Sequence, residues 1–330
     1  MSLLLQYVIF LLKLGTVVLS IVIVAASLVA MSRRTKGHTK YKLSVKKLNK
    51  KYQDFAETLS AEILTKAERK KFLKEQKIQL KNESKQTRKR IFVLDFQGDI
   101  KGSAVQGLRE EITAIIQVAK PLDEVVLRLE SGGGMVSPYG LAASQLQRLK
   151  DQCIPLTITI DKIAASGGYL MACVADKILA APFAIIGSIG VLAQLPNFHR
   201  FLKKKDIDFE LLTAGEYKRT LTVFGKNTPK AREKTQEDLE AIHRLFKAFI
   251  ESNRKQVDID RIATGAYWLA KDSLALKLVD ELTTSDAYLH TQASNHQACI
   301  YELQYLIPKS LTEKLSSKLA RLVSNLDWLR

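Results

Sequence analysis

From Ile91 onward, apolar runs of strand length take turns with stretches of helical period. Ile91-Phe92-Val93-Leu94-Asp95-Phe96 reads as a strand, Leu108 to Ala119 as a helix, and Glu124 to Leu129 as a strand again. Tyr139 to Leu149 is helical, and Leu156 to Ile160 is a third strand that runs into a small-residue corner at Ser166 and another helix. Ile178 to Ile189 resumes the sheet, and Ile207 to Leu212 reads as one more strand. Pro229 to Asn253 is one long helix, with proline at the first position, where its missing N–H costs nothing. This alternation predicts an α/β fold with a mainly parallel sheet and crossover helices. No internal repeat is visible.

The two ends have different textures. Leu14 to Ser32 is a run of 19 positions without a charge, the length of one transmembrane helix, and Leu3 to Leu12 add apolar surface before Lys13. A cleavable signal peptide is the rival reading, with Val24-Ala25-Ala26 as its cleavage site. No cation precedes Lys13 and a basic block follows at once, so a retained anchor is preferred. Tyr41 to Arg90 is polar, helix-prone and free of proline, with a weak apolar stripe through Leu48, Phe55, Leu59 and Ile63, as in a stalk or helical hairpin. At the far end, Leu311, Leu315, Leu319, Leu322, Leu326 and Leu329 recur at helical spacing, a face for packing or for a membrane surface. The expected organisation is therefore a membrane anchor over 1–32, a basic helical linker over 33–90, the α/β domain over 91–308 and an amphipathic helix over 309–330.

Charge sharpens that division. The net charge is +17, yet residues 33–90 alone hold 20 Lys and Arg against 6 Asp and Glu. The excess thus belongs to a segment beside the expected anchor, where it suits anionic headgroups or a solvated helix. The block has no interleaved aromatics and no nucleic-acid motif, so no nucleic acid is expected. Cys153, Cys173 and Cys299 show no paired spacing, and the five histidines show no ligand spacing. Neither a disulfide framework nor a metal is indicated, and no cofactor is expected.

The candidate chemistry lies in short stretches. Ser166, in Ala165-Ser166-Gly167-Gly168, sits where a strand gives way to a helix, among neighbours small enough for a substrate backbone to come close. Free N–H groups at a helix start favour developing negative charge, which makes the N–H of Gly167 one half of an oxyanion hole. The loop Ser131-Gly132-Gly133-Gly134 ends another strand at the same sheet edge and offers the N–H of Gly133 as the second donor. A serine hydroxyl needs a base. Lys218, in Gly215-Glu216-Tyr217-Lys218, is 52 positions further on and has Leu211, Leu212, Leu221, Val223 and Phe224 around it in sequence. A lysine works as a base only when neutral, and lowering an ordinary value of about 10.4 by about 3 units costs roughly 4 kcal/mol of desolvation. Ser188, in Gly187-Ser188-Ile189-Gly190, is a candidate to hold that amine by a hydrogen bond.

Together these motifs resemble the signal peptide peptidase A family. The resemblance runs over essentially the full length, with anchor, basic segment and one peptidase unit in the same order. It implies a ClpP/crotonase-like fold, Ser166 as nucleophile, Lys218 as general base, Gly133 and Gly167 as oxyanion donors, and Ser188 as the partner of the lysine. It also implies a single-pass protein of the bacterial inner membrane that acts on signal-peptide remnants or other extended peptides through an acyl-enzyme. The resemblance implies a homo-oligomeric ring as well, in which serine and lysine can come from adjacent subunits. One position departs: the family usually has Ser-Pro-Gly-Gly, and Gly132 here leaves the loop looser. Two other functions stay open on the residues: a catalytically weak scaffold or peptide-binding module at the membrane, and a crotonase-type enzyme on acyl-coenzyme A, which gives Lys218 no task. The charge after the anchor favours a cytoplasmic domain, and the resemblance a periplasmic one.

Overall fold

The computed structural model describes residues 9–10, 12–20, 42–83, 88–294 and 298–306. Residues 12–20 are helical. Among the described residues no helix is long and apolar enough to cross a membrane. The second half of the expected anchor, 21–32, and the expected C-terminal helix, 309–330, lie outside the described residues.

Residues 44–305 form one compact unit. Its strands are β1 (Lys42–Lys47), β2 (Lys89–Gln97), β3 (Glu124–Glu130), β4 (Leu156–Ile160), β5 (Ile163–Ala165), β6 (Lys177–Ala180), β7 (Ile185–Gly187), β8 (Tyr267–Leu269), β9 (Glu281–Leu282) and β10 (Ala298–Leu306). Seven make one sheet in the order β1-β10-β2-β3-β4-β6-β9, and every pair from β10 to β9 is parallel. The α/β class with a mainly parallel sheet is as the alternation predicted. A parallel sheet must be covered on both faces. Side chains alternate across a strand, so Phe92, Leu94, Phe96, Val125, Leu127 and Leu129 face one core, with the helices Val105–Val118 and Val136–Asp151. Ile91, Val93 and Val126 face the other, with Leu289, Ala298, Ile300 and Leu48.

Leu48 comes from the segment read as a basic linker. That segment supplies β1 and the helices Leu48–Ile63 and Lys66–Glu83. Asn49 pins it to β10, accepting from Ile300 N–H at 2.7 Å and donating to Ala298 C=O at 3.1 Å.

The remaining strands form a small sheet, β5-β7-β8, with β5–β7 parallel and β7–β8 antiparallel. The expected single run Ile178–Ile189 therefore divides between two sheets. Ile207–Leu212, expected as a strand, forms none: Ile207, Phe209, Leu211 and Leu212 stand exposed with no strand beside them. The helix Pro229–Asn253 matches its reading, and its Thr228 cap accepts the N–H of Ala231 at 3.2 Å.

Candidate active site

The site is assembled where the two sheets meet. The N–H of Ser131 donates to Ile163 C=O at 2.9 Å and that of Ala165 to Ser131 C=O at 3.0 Å, so the end of β3 is stitched to β5. One residue later the chain turns into the helix Gly167–Ala172. Ser166 makes that turn at φ 52° and ψ −120°, a conformation that costs a non-glycine residue about 1–3 kcal/mol. Two backbone bonds hold it there: its N–H donates to Gly187 C=O at 2.7 Å, and its C=O accepts Leu170 N–H at 3.0 Å. The side-chain oxygen makes no hydrogen bond among the described residues.

The helix behind Ser166 is anchored deep in the core. The hydroxyl of Tyr169 donates to Leu278 C=O at 3.0 Å, and the same turn is held by Arg254, 2% exposed, through Asp280 and Lys277 C=O. Cys173 lies in this packing, and burial pushes its thiol up to about 12. It is therefore no competing nucleophile.

Glycine is required where the loop meets this helix. A Cβ on Gly168 would lie 2.4 Å from Ser131 C=O oxygen. Gly133 has φ +87°, and a Cβ there would lie 2.7 Å from Gly167 N and 2.8 Å from Ser166 Cβ. The glycine loop and the serine corner are thus in contact, as the motifs suggested. The N–H of Gly167, in the first turn of its helix, has no partner among the described residues and is available. That of Gly133 is not free: it donates to Ser131 Oγ at 3.0 Å. The N–H of Gly134 makes no hydrogen bond among the described residues. Beside this loop opens a cleft of about 670 Å³ lined by Gly98, Asp99, Ile100, Lys101, Gly132 and Gly133, large enough for a peptide side chain and backbone.

Ser188 follows Gly187, the residue that receives the N–H of Ser166. It is half-buried at φ 51°, with its N–H on Ala266 C=O at 2.7 Å. The register Ala165↔Gly187 puts Ser188 beside the corner. Lys218 is different. It occupies an irregular, exposed turn closed by its own N–H on Gly215 C=O at 3.2 Å. No hydrogen bond joins it to Ser166 or Ser188 among the described residues. Leu211, Leu212 and Phe224, expected around it, are exposed instead of wrapping it.

Tyr139 was not singled out in the sequence, where it reads as the start of a core helix. It is fully buried, and its hydroxyl lies 2.7 Å from Ser131 Oγ. Its only signal was a polar tip on an otherwise apolar helix face.

Residues 2–146 match the model of peptidase family S49, N-terminal, and residues 148–298 that of peptidase family S49. Across 93% of this chain and 90% of the relative, it is 46% identical to the "Probable protease SohB" of Haemophilus influenzae. The chain belongs to peptidase family S49. Another relative in S49, the "Probable protease SohB" of Buchnera aphidicola subsp. Schlechtendalia chinensis, is 46% identical over 88% of this chain and 99% of its own length. Among solved structures, a membrane-bound stomatin-specific protease aligns at 15% identity over 71% of this chain and 99% of that one, with a TM-score of 0.43. Membership of S49 makes this chain a serine peptidase and bears out the family read from its motifs.

Proposed function

We propose that this chain is a membrane-anchored Ser–Lys endopeptidase that cleaves signal-peptide remnants or other extended peptides through an acyl-enzyme. The observation that carries the reading is Ser166 itself: a strained serine at a strand-to-helix corner, fixed by backbone bonds, with the open N–H of Gly167 beside it and a glycine loop packed against it. Ser166 attacks the scissile carbonyl as Lys218 takes its proton. The lysine returns that proton to the leaving amine as the C–N bond breaks, and water then hydrolyses the acyl ester. Gly167 gives one N–H to the oxyanion and the 131–134 loop the other. Gly133 shares its N–H between Ser131 Oγ and the oxyanion as a three-centre bond, and Ser188 orients the lysine amine. An arrangement of the ClpP/crotonase type accommodates these roles.

Lys218 reaches a serine on assembly. The segment 191–228 exposes Leu192, Phe201, Ile207, Leu212 and Tyr217, more apolar surface than an isolated chain keeps in water. A homo-oligomeric ring that buries this surface desolvates Lys218 and seats it at the corner of the same or an adjacent subunit. Exposed Leu12, Leu14, Val17, Val18 and Leu19, continuing into the uncharged run to Ser32, support a single-pass anchor in a bacterial inner membrane.

Lys218, exposed and unpaired among the described residues, also favours a second reading, a peptide-binding scaffold with little turnover. Cleavage of an unfolded protein by the full chain, Ser166→Ala and Lys218→Ala separates the two. The peptidase reading expects activity in the parent alone, with all three proteins folded. An active Ser166→Ala protein removes it, and a folded, oligomeric but inert parent puts the scaffold ahead.

A further inference from the structure

Tyr139 carries one polar group into the core, and its bonds form a chain. The hydroxyl donates to Asp99 C=O at 2.9 Å, so at 2.7 Å it receives the hydrogen of Ser131 Oγ. Ser131 Oγ in turn accepts the N–H of Gly133 at 3.0 Å. Both residues are buried. The ring of Tyr139 also touches the nucleophile's helix, since a Cβ on Gly167 would lie 2.6 Å from Tyr139 Cγ. One side chain therefore meets both the element carrying Ser166 and the loop carrying the second donor.

We infer that the Ser131 and Tyr139 hydroxyls are positioning groups of the peptidase reaction, clamping the 131–134 loop against the Ser166 corner; the inference rests on Ser166 being the nucleophile. Three successive glycines make the most mobile backbone available, and a donor stabilises an oxyanion only if it is already in place. A proline at position 132 would stiffen the loop covalently. The Cβ position leaves space for one: φ of Gly132 is outside the left-handed region, and a Cβ would meet only Ile163 Cδ1 at 3.8 Å. The N–H that proline lacks makes no hydrogen bond among the described residues. The hydroxyl pair and a proline are thus two solutions to one problem, and one should replace the other.

The test is a double-mutant cycle on the purified full-length chain with a quenched-fluorescent unfolded protein as substrate. Tyr139→Phe keeps the ring and removes the clamp. It should lower kcat about tenfold or more with KM nearly constant, and speed amide exchange across 131–135 by a similar factor. In a Gly132→Pro background the same substitution should cost less than about threefold in kcat and leave loop exchange slow. Ser131→Ala should follow the same pattern. A folded Tyr139→Phe protein with the parent's kcat overturns the inference, as does an equal loss with and without the proline. If the parent cleaves nothing, the peptidase reading has failed and exchange alone decides the clamp. Faster loop exchange in Tyr139→Phe, restored by Gly132→Pro, then upholds it, and unchanged exchange overturns it.

Discussion

The two halves of the expected dyad sit in opposite kinds of structure. Ser166 lies at a seam between two sheets, with its backbone bonded on both sides and buried helices behind it. Lys218 lies in residues 191–228, which hold one five-residue helix, His199–Lys203, and no strand, and whose leucines and phenylalanines face outward. The strain at Ser166 persists because its two backbone bonds and the packed helix behind it over-determine it. Among the described residues nothing does the same for Lys218. On the proposed reading, the Ser166 half is built by folding, and the Lys218 half is left to be completed by a surface that buries those side chains.

The Ser166 corner has least slack at Gly133. Gly133→Ala puts a side chain at φ +87° and a Cβ within 2.8 Å of Ser166 Cβ. Turnover should fall about 10²-fold or more, the scale of losing an oxyanion donor, while circular dichroism still reports the fold. A Gly133→Ala protein that turns over at the parent's rate would show that the corner is not rigid.

The other half should answer to assembly instead of to folding. Leu212 is 92% exposed, and Leu192 82%. Replacing either with aspartate should move the stability of the isolated chain by less than about 0.5 kcal/mol. Sedimentation should nonetheless show smaller species, and specific activity should drop and recover with protein concentration. Unchanged sedimentation with full activity would mean that Lys218 finds Ser166 within one chain.

The same contrast explains what could be read from the sequence. The strands β2 and β3 carry apolar runs and β4 is β-branched throughout but for Leu156, and the helix Pro229–Asn253 has a threonine cap and a proline start; these are local signals strong enough to stand alone. The serine corner was legible because small residues followed a strand. The sheet β5-β7-β8 was not, since strands of three residues have no period to detect. Ile207–Leu212 shows the converse failure. Its apolar side chains look like a strand, but a strand exists only where another offers hydrogen bonds, and none lies there among the described residues. Leu48 was hidden by the lysines around it, and Tyr139 by the helix it helps to bury.

The smallest effect lies in acid, where the two regions should separate once more. Burial alone would raise the Asp123 carboxyl, but hydrogen bonds from the Arg90 guanidinium, Lys120 N–H and Arg90 N–H outweigh it and hold the group below the usual aspartate range. Asp208, bonded to Lys203, is also lowered, yet it stands fully in solvent within the exposed segment. A carboxyl depressed in the folded state contributes stability above its unfolded value, about 3.9, and loses it as pH falls through the folded value. Only Asp123 ties together elements of the sheet, β2 and the turn before β3, so its protonation is the one that should loosen the fold. Asp123→Asn should lower stability at neutral pH and flatten the decline below about pH 4, followed by denaturant midpoints across pH. Asp208→Asn should leave both unchanged, because a solvated pair contributes little. Equal effects from the two would mean that the exposed segment is as firmly part of the folded unit as the sheet that Asp123 ties together.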